Sequence, residues 1–464
     1  MISNQLNLLS KEEIIQKFEN FSGNFSRKNQ YFDILYDSYE SLRILKTRSE
    51  ESIVSSQNSG AAARTYVGYW REYSFQDQSG LLDLMKKIPS VSDKGDLIQE
   101  FEGWKTDTTI KLKIDPSTVP LEEKVERVRE LFTFFQKFDE RIINPAVSYA
   151  EHLMKRIFVN NEGSILSQTI PRVRLFLQPI AKEGATVDFD YFSTGGEMGY
   201  EIFDEVMKLD LEQIANNSLD MLKADHCPAG MLPLILDPDM TGLVAHESFG
   251  HGLEADQVLR DRSYLKAYLN KKVASEICVI CDSPAVPNKL GSYFFDDEGI
   301  KSEKTTLVKD GILKNFLHDR MTSSKLKAKP GGNGRRESFQ HPVLVRMTNT
   351  FFESGDHKLE EMIETIDRGV MLVRGYFGME DPLGGGMQCS SKKGYLIEKG
   401  EKTKLLKSIT LSGSVLEFLQ DIDAISKDEA FFHAGTCGKG EFDFVPVTSG
   451  GPYIRAKKGL ISPG

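Results

Sequence analysis

Residues 234–256, LILDPDMTGLVAHESFGHGLEAD, constrain the chain more than any other stretch. Leu234 to Leu236 finish an apolar strand, and Asp237 and Pro238 then supply an N-cap and a first-turn proline, so a helix begins here. Leu243 and Val244 anchor that helix to a core, and His246, Glu247 and His251 follow. A His-Glu pair with a second His downstream is the make-up of hydrolytic zinc sites, where two imidazoles bind metal and the carboxylate activates water. Here the spacing is one residue too long. Ser248, Phe249 and Gly250 separate Glu247 from His251, and in a regular α-helix positions five apart diverge by about 140°. The imidazoles converge only if a π-bulge or a helix end absorbs the extra residue, and Gly250 sits where distortion costs least. An irregular turn at Ser248–Gly250 is therefore expected. Taken alone, the motif is better explained by a solvated helix with a structural histidine than by a metal site.

The rest of the chain reads as two units. Residues 31–37 and 41–47 (YFDILYD, SLRILKT) are β-rich runs, and 64–75 and onward form another. Leu121, Val125, Val128, Leu131, Phe132, Phe135 and Phe138 recur at spacings of three and four, which predicts an amphipathic helix. Strand-like sequence runs from about 144 to 180 (VSYAEHLMKRIFV, VRLFLQPIA), and a second helix is expected from Glu201 to Lys223, with Ile202, Val206, Ile214 and Leu222 inward. After Lys223 the short, turn-forming ADHCPAG leads into hairpins. Asp310-Gly311 turns TTLVKDGILKNFL, and GYLIEKGEKTKLL turns around Gly400. A lone helix is expected at Leu359–Asp367, with Leu359, Met362, Ile363 and Ile366 on one face. No internal repeat is evident, and the only biased stretches are the glycine clusters at 331–334 and 384–386. The expected fold is α+β: an N-terminal mixed α/β domain over 1–225, then a mainly antiparallel β domain over 226–464 carrying the candidate metal-binding helix.

Composition excludes several classes. A formal net charge of −10 argues against a nucleic-acid binder, which shows a basic face. No apolar run approaches the roughly 20 residues that cross a bilayer, so no membrane partner is expected. The start, MISNQLNLLSKEEIIQKF, lacks the charged-then-apolar build of a secretory signal. Five scattered cysteines (227, 278, 281, 389 and 437) do not form a disulfide framework and fit a reducing compartment. The expected location is the cytoplasm.

Five blocks occur in a telling order: HESFGHGLEAD, FFDDEG at 294–299, GNGRRESFQHP at 332–342, RMTNTF at 346–351 and AGTCGKG at 434–440. Together they resemble the TldD half of the TldD/TldE (PmbA) metallopeptidase family, and cover most of residues 230–440; the N-terminal half resembles it more weakly. The resemblance implies that His246, His251 and Cys437 bind Zn2+ and that Glu247 is catalytic. TldE-type subunits lack the motif, whereas this chain keeps all four residues. It further implies a peptide substrate, cleaved with loose sequence preference, and a dimer, either with a TldE/PmbA-like partner subunit or as a homodimer. The chemistry agrees with this set. Three protein ligands leave a fourth tetrahedral position for water, and a carboxylate alongside can accept its proton. Glycines around Cys437 let the backbone bring the thiolate close, and a sulfur ligand favours zinc.

Other candidates are weaker. Cys278 and Cys281 have a knuckle-like spacing, but no second pair exists, and three apart on a strand the sulfurs diverge. GGNGRRES lacks the lysine and Ser/Thr of a phosphate loop. His318, Arg335, Arg336 and His341 could grip substrate, but hydrogen bonding within the β domain accounts for each more simply. Asp296, Asp297 and Glu298 could support a metal-bound histidine from outside, although a plain acidic loop is the better account. His226, beside Cys227, has no assigned role. The competing functional class is a non-catalytic peptide-binding or regulatory subunit, of the kind once linked by name to DNA gyrase; the intact HExxxH and Cys437 count against it. A metal-dependent amidase acting on small molecules would share the site but show a narrow, deep pocket.

Overall fold

The structure is a computed structural model. It describes residues 12, 13, 15, 16, 31–76, 98–428, 430–440 and 443–464, without side chains at 430–433. The stretch read above for a secretory signal lies outside the described residues, apart from 12, 13, 15 and 16.

The N-terminal half is built on one sheet. Its strands are β1 (Tyr31–Lys46), β2 (Glu51–Tyr66), β3 (Trp70–Phe75), β4 (Lys105–Thr109), β5 (Ala146–Asn160) and β6 (Ile165–Gln178). A small hairpin, β7 (Ile180–Glu183) and β8 (Thr186–Phe189), precedes β9 (Phe192–Gly196). The order is β3-β2-β1-β5-β6-β4, with β9 also on β6. The two runs expected at 31–37 and 41–47 are one strand. No glycine or proline interrupts Ser38–Glu40, and β1 pairs with β2 without a break from Tyr31↔Tyr66 to Lys46↔Glu51. The polar half of β2, Glu51–Asn58, has no apolar alternation to mark it, and its pairing with β1 supplies the strand. The run at 64–75 divides at Gly68, whose φ of 89° makes the turn between β2 and β3.

The helix Leu121–Phe138 forms as expected and buries Val125, Val128, Leu131, Phe132 and Phe135 against Val147, Tyr149 and Leu175 of the sheet. Each such side chain contributes about 1.5–3 kcal/mol. The second helix is two, Ile202–Val206 and Leu211–Met221. Asp210 separates them: its side chain accepts from the Gln213 N–H at 2.9 Å and restarts the helix as an N-cap. Ile202, Val206, Ile214 and Leu222 are buried as expected.

The C-terminal half has two main sheets. One contains β10 (Asp225–His226), β11 (Gly230–Leu236), β18 (Arg368–Glu380), β19 (Gly386–Glu398), β20 (Glu401–Ser414), β21 (Ile422–Ile425) and β24 (Ile454–Pro463). Its order is β10-β20-β19-β18-β11-β24-β21, and β20 also pairs with β24, so five strands close on themselves. The other runs β14 (Ile312–Leu313), β13 (Thr305–Lys309), β12 (Ile280–Asp282), β17 (Asn349–Phe352), β23 (Asp443–Gly451) and β22 (Ala430–Lys439). A short ladder joins β15 (Gly334–Arg335) to β16 (Leu344–Val345). Pairing is antiparallel except β10–β20, β11–β18 and β17–β23. Both expected turns form, with positive φ at Asp310 and Gly311 and at Lys399 and Gly400. The helix expected at Leu359–Asp367 covers Leu359–Glu364 and is not alone: Arg320–Leu326 and Val415–Gln420 are also helical, each too short to show a period.

Between these sheets runs the segment that begins at Asp237. Its side chain accepts from the Met240 N–H at 2.8 Å and caps the helix Pro238–Leu243. Met240, Leu243, Val244, Ala245, Phe249 and Leu253 join one contiguous core with both sheets. Gly242 is required by contact: a Cβ there would stand 2.4 Å from the Gly450 backbone on β23.

Candidate metal centre

The irregularity expected at Ser248–Gly250 is a π-helix over Val244–Gly250, followed by a tight turn at His251–Leu253. A π-helix closes its hydrogen bonds from i to i+5, so residues five apart come to share a face. His246 and His251 accordingly face each other with ring centroids 5.3 Å apart and planes at 84°. The reason for Gly250 differs from the expected one. Its φ of −63° is ordinary helix, but a Cβ there would stand 2.1 Å from Met347 Sδ, so the glycine makes room for Met347.

Cys437 arrives from β22, 186 residues along the chain, and its Sγ lies 3.5 Å from His251 Nε2. One ligand atom from each of His246, His251 and Cys437 falls within 4.8 Å of the others, the single such His/Cys/Asp/Glu group among the described residues. Electrostatics mark the same place. Burial alone would raise the Cys437 thiol, yet His246 and His251 bring it down to about 4. Burial opposes charge on His246 too, but the facing sulfur raises its pKa; His251 is raised well above the usual range against burial by Glu254 and Cys437. A thiolate held between two imidazoles is a place where positive charge is favourable. The donor set, one sulfur and two nitrogens, suits Zn2+, and the buried Nδ1 of His246 has no hydrogen-bond partner. The residues fit the ion.

Glu247 is the one carboxylate of the motif that reaches solvent, with about a third of its side chain (31%) exposed and Oε2 3.8 Å from His251 Nε2. Strand β18 runs directly over it. A Cβ at Gly378 would stand 2.6 Å from both Cβ and Cγ of Glu247.

Three further groups beside the centre escaped the sequence reading. Glu254 Oε2 lies 3.4 Å from His251 Nδ1 and 2.9 Å from Lys439 Nζ. Burial would raise Glu254, but Lys439 and His251 lower it to about 2. Glu380, at the end of β18, is pushed by burial up to about 8 in spite of His251 and the Tyr264 hydroxyl. The available signals were weak: Glu254 lies three residues after His251, Lys439 lies two after Cys437, and nothing in the local sequence sets Glu380 apart.

The structure gives the other candidates structural work. Asp296, Asp297 and Glu298 do not support a metal-bound histidine. Glu298 and Asp297 pair with Arg64 and Arg156 of the N-terminal sheet, Arg64 Nη1 lying 2.8 Å from Glu298 Oε1, and Asp296 accepts from the backbone of Glu298, Ile300 and Gly334. His318 Nδ1 meets Thr322 Oγ1 at 3.3 Å, Arg335 donates to the carbonyls of Met347 and Pro446, Arg336 pairs with Glu72, and His341 meets Ser338. Cys278 and Cys281 are both buried, Cys281 near Thr306 and Glu353, with burial raising each thiol to about 12. His226 is exposed at the edge strand β10.

An α+β chain that brings two imidazoles of a π-turn and the thiol of a neighbouring strand together between two sheets belongs to the class of proteins built around a candidate metal centre. Comparison with known proteins is specific. Residues 229–462 match the PmbA/TldA metallopeptidase C-terminal domain and residues 114–224 its central domain, and the chain belongs to the PmbA/TldD metallopeptidase family. It is 36% identical to a metalloprotease of Methanocaldococcus jannaschii over 92% of this chain and 95% of that one. It is 32% identical to a zinc metalloprotease TldD homologue of Saccharolobus solfataricus over 73% and 75%. Its fold is that of TldE from Thermococcus kodakarensis, with a TM-score of 0.71 at 19% identity, covering 98% of this chain and 100% of the other. Among the described residues no helix is long and apolar enough to cross a membrane.

Proposed function

We propose that this chain is a zinc-dependent peptidase in which His246, His251 and Cys437 hold Zn2+ and Glu247 is the general base. The observation that carries the reading is the meeting of these ligand atoms within 4.8 Å across 186 residues of chain, on a turn whose i to i+5 geometry suits the motif's spacing. Zinc bound there would supply Lewis-acid polarisation of the scissile carbonyl and acidify a water. Glu247, whose side chain is partly exposed, would act as the base that takes a proton from the attacking water and hands it to the leaving amine nitrogen. To hold the ion, His246 and His251 would have to be neutral, giving up any proton they carry without it, with Cys437 as the thiolate.

The substrate is an extended peptide or unfolded segment. Among the described residues β22, which carries Cys437, is the last strand of its sheet and pairs only with β23. A peptide added along such an edge is held by its backbone, which supports loose sequence preference. We infer that the chain acts as a pair, with a TldE-like subunit or a second copy, that it divides into two domains near residue 225, and that it works in the cytoplasm. Five buried, unpaired cysteines support that last placement.

Glu247→Gln tests the reading. The variant keeps stoichiometric zinc and loses about 10²- to 10⁴-fold in peptide cleavage, the share a positioned base supplies. Full activity in the variant, or zinc lost from it, counts against the assignment. A folded protein should resist cleavage while its unfolded form is cut.

A further inference from the structure

His251 and Cys437 sit on elements far apart in sequence, and the ligands alone do not fix their distance. A second set of buried charges joins those elements. Lys439 lies two residues past Cys437 on β22, so both side chains emerge from the same face of the strand. The three donors of its ammonium have three acceptors: Glu254 Oε2 at 2.9 Å, Asp256 Oδ1 at 2.8 Å and the Val345 carbonyl at 2.9 Å. Glu254 Oε2 also meets His251 Nδ1 at 3.4 Å, which leaves Nε2 directed at Cys437. One carboxylate oxygen is thus shared between a ligand imidazole and an ammonium from the thiolate's own strand. From the other side the fully buried Arg346 donates to the Cys437 carbonyl, and to the carbonyl and Oδ1 of Asp443 at 3.1 and 2.9 Å. Side-chain exposure is 2% at Glu254 and 11% at Lys439, so water competes little for these contacts.

We propose that Glu254 and Lys439 are positioning residues that lock the His251 ring to the Cys437 strand, so that the ligand set stands at coordination distance through a salt bridge between its two halves. This rests on the metal reading above. Glu254 fixes which imidazole nitrogen faces the ion, and Lys439 carries that constraint across to β22, with Arg346 holding the strand's backbone. A carboxylate behind a ligand histidine tunes its orientation and basicity, and loss of such a partner weakens metal binding by about 10- to 100-fold.

The test measures zinc affinity of the full-length chain by competition with a chelator, alongside circular dichroism of the zinc-free proteins. Glu254→Gln and Lys439→Met each weaken zinc about 10- to 100-fold. The double variant is no worse than the poorer single one, because both act through one contact. Lys439→Arg, which keeps the charge, retains most of the affinity. If Lys439→Met fails to fold, Glu254→Gln and Lys439→Arg carry the comparison. A Glu254→Gln or Lys439→Met variant that binds zinc within about twofold of wild type, or two losses that simply add, overturns the lock while leaving the metal centre standing. A wild-type chain that holds no zinc overturns the metal reading itself, and the lock with it.

Discussion

On the proposed function, Gly378→Ala should cripple peptide cleavage without loss of bound zinc. The backbone at Gly378 is not in the positive-φ region, so alanine is not strained there; the obstacle is space. The added methyl would stand 2.6 Å from both Cβ and Cγ of Glu247. Carbon atoms rest at about 3.5–4.0 Å, so one side must yield by roughly 1 Å. At Gly378 strand β18 pairs with Cys389 of β19, and Glu247 is the freer partner, since part of its side chain faces solvent. A misplacement of about 1 Å at a catalytic group costs on the order of 10²-fold in rate, or about 2.7 kcal/mol of barrier at 1.36 kcal/mol per factor of ten. The assay is kcat/KM on an unstructured peptide together with zinc stoichiometry and a thermal melt. Overpacking of this kind also costs about 1–3 kcal/mol of stability, which the melt separates from the loss of rate. An alanine variant within about threefold of wild type, under conditions where it is folded, would refute Glu247 as the group beneath Gly378 that does the chemistry.

Cys437→Ala should lose zinc affinity by more than the 10- to 100-fold typical of outer partners, while lowering stability by only about 1 kcal/mol, because β22 and the π-turn are formed by their own packing. Unfolding together with metal loss, seen by circular dichroism, would show instead that zinc builds the fold. In zinc-free protein the Cys437 thiol, depressed to about 4, should give thiolate ultraviolet absorbance at neutral pH that Cys437→Ala lacks. A depressed pKa contributes stability above the unfolded value and loses it as pH falls through about 4, whereas the raised His246 and His251 contribute at low pH and lose it as pH rises through their elevated values. Thiolate absorbance appearing only near the ordinary thiol pKa would contradict the site's electrostatics. Peptide cleavage should fall below about pH 5 as protons displace the metal from His and Cys, and a profile flat into that range would contradict metal dependence.

Much of the site could be read from residues 234–256 because its constraints are local. Asp237 and Pro238 announce the helix start, and the count of residues between Glu247 and His251 demands a distortion that the π-turn provides. Cys437 could not be reached that way; only its resemblance to a family block singled it out, since no local rule links positions 186 apart. Glu254, Lys439 and Glu380 stayed hidden for the same reason, their partners being set by how β18 and β22 pass the motif. In the fold, periodicity was a sound guide where one face is buried, as in Leu121–Phe138, and failed where pairing alone decides. Glu51–Asn58 is strand because β1 lies beside it, and Asp210 breaks a helix whose apolar stripe continues through it.

X-ray absorption at the zinc edge of the purified full-length chain addresses the coordination claim head-on. One sulfur near 2.3 Å and two imidazole nitrogens near about 2.0–2.1 Å, with the sulfur lost in Cys437→Ala, is the expected spectrum. Zinc without a sulfur neighbour, or a spectrum that the substitution leaves unchanged, would place the ion elsewhere and contradict the account.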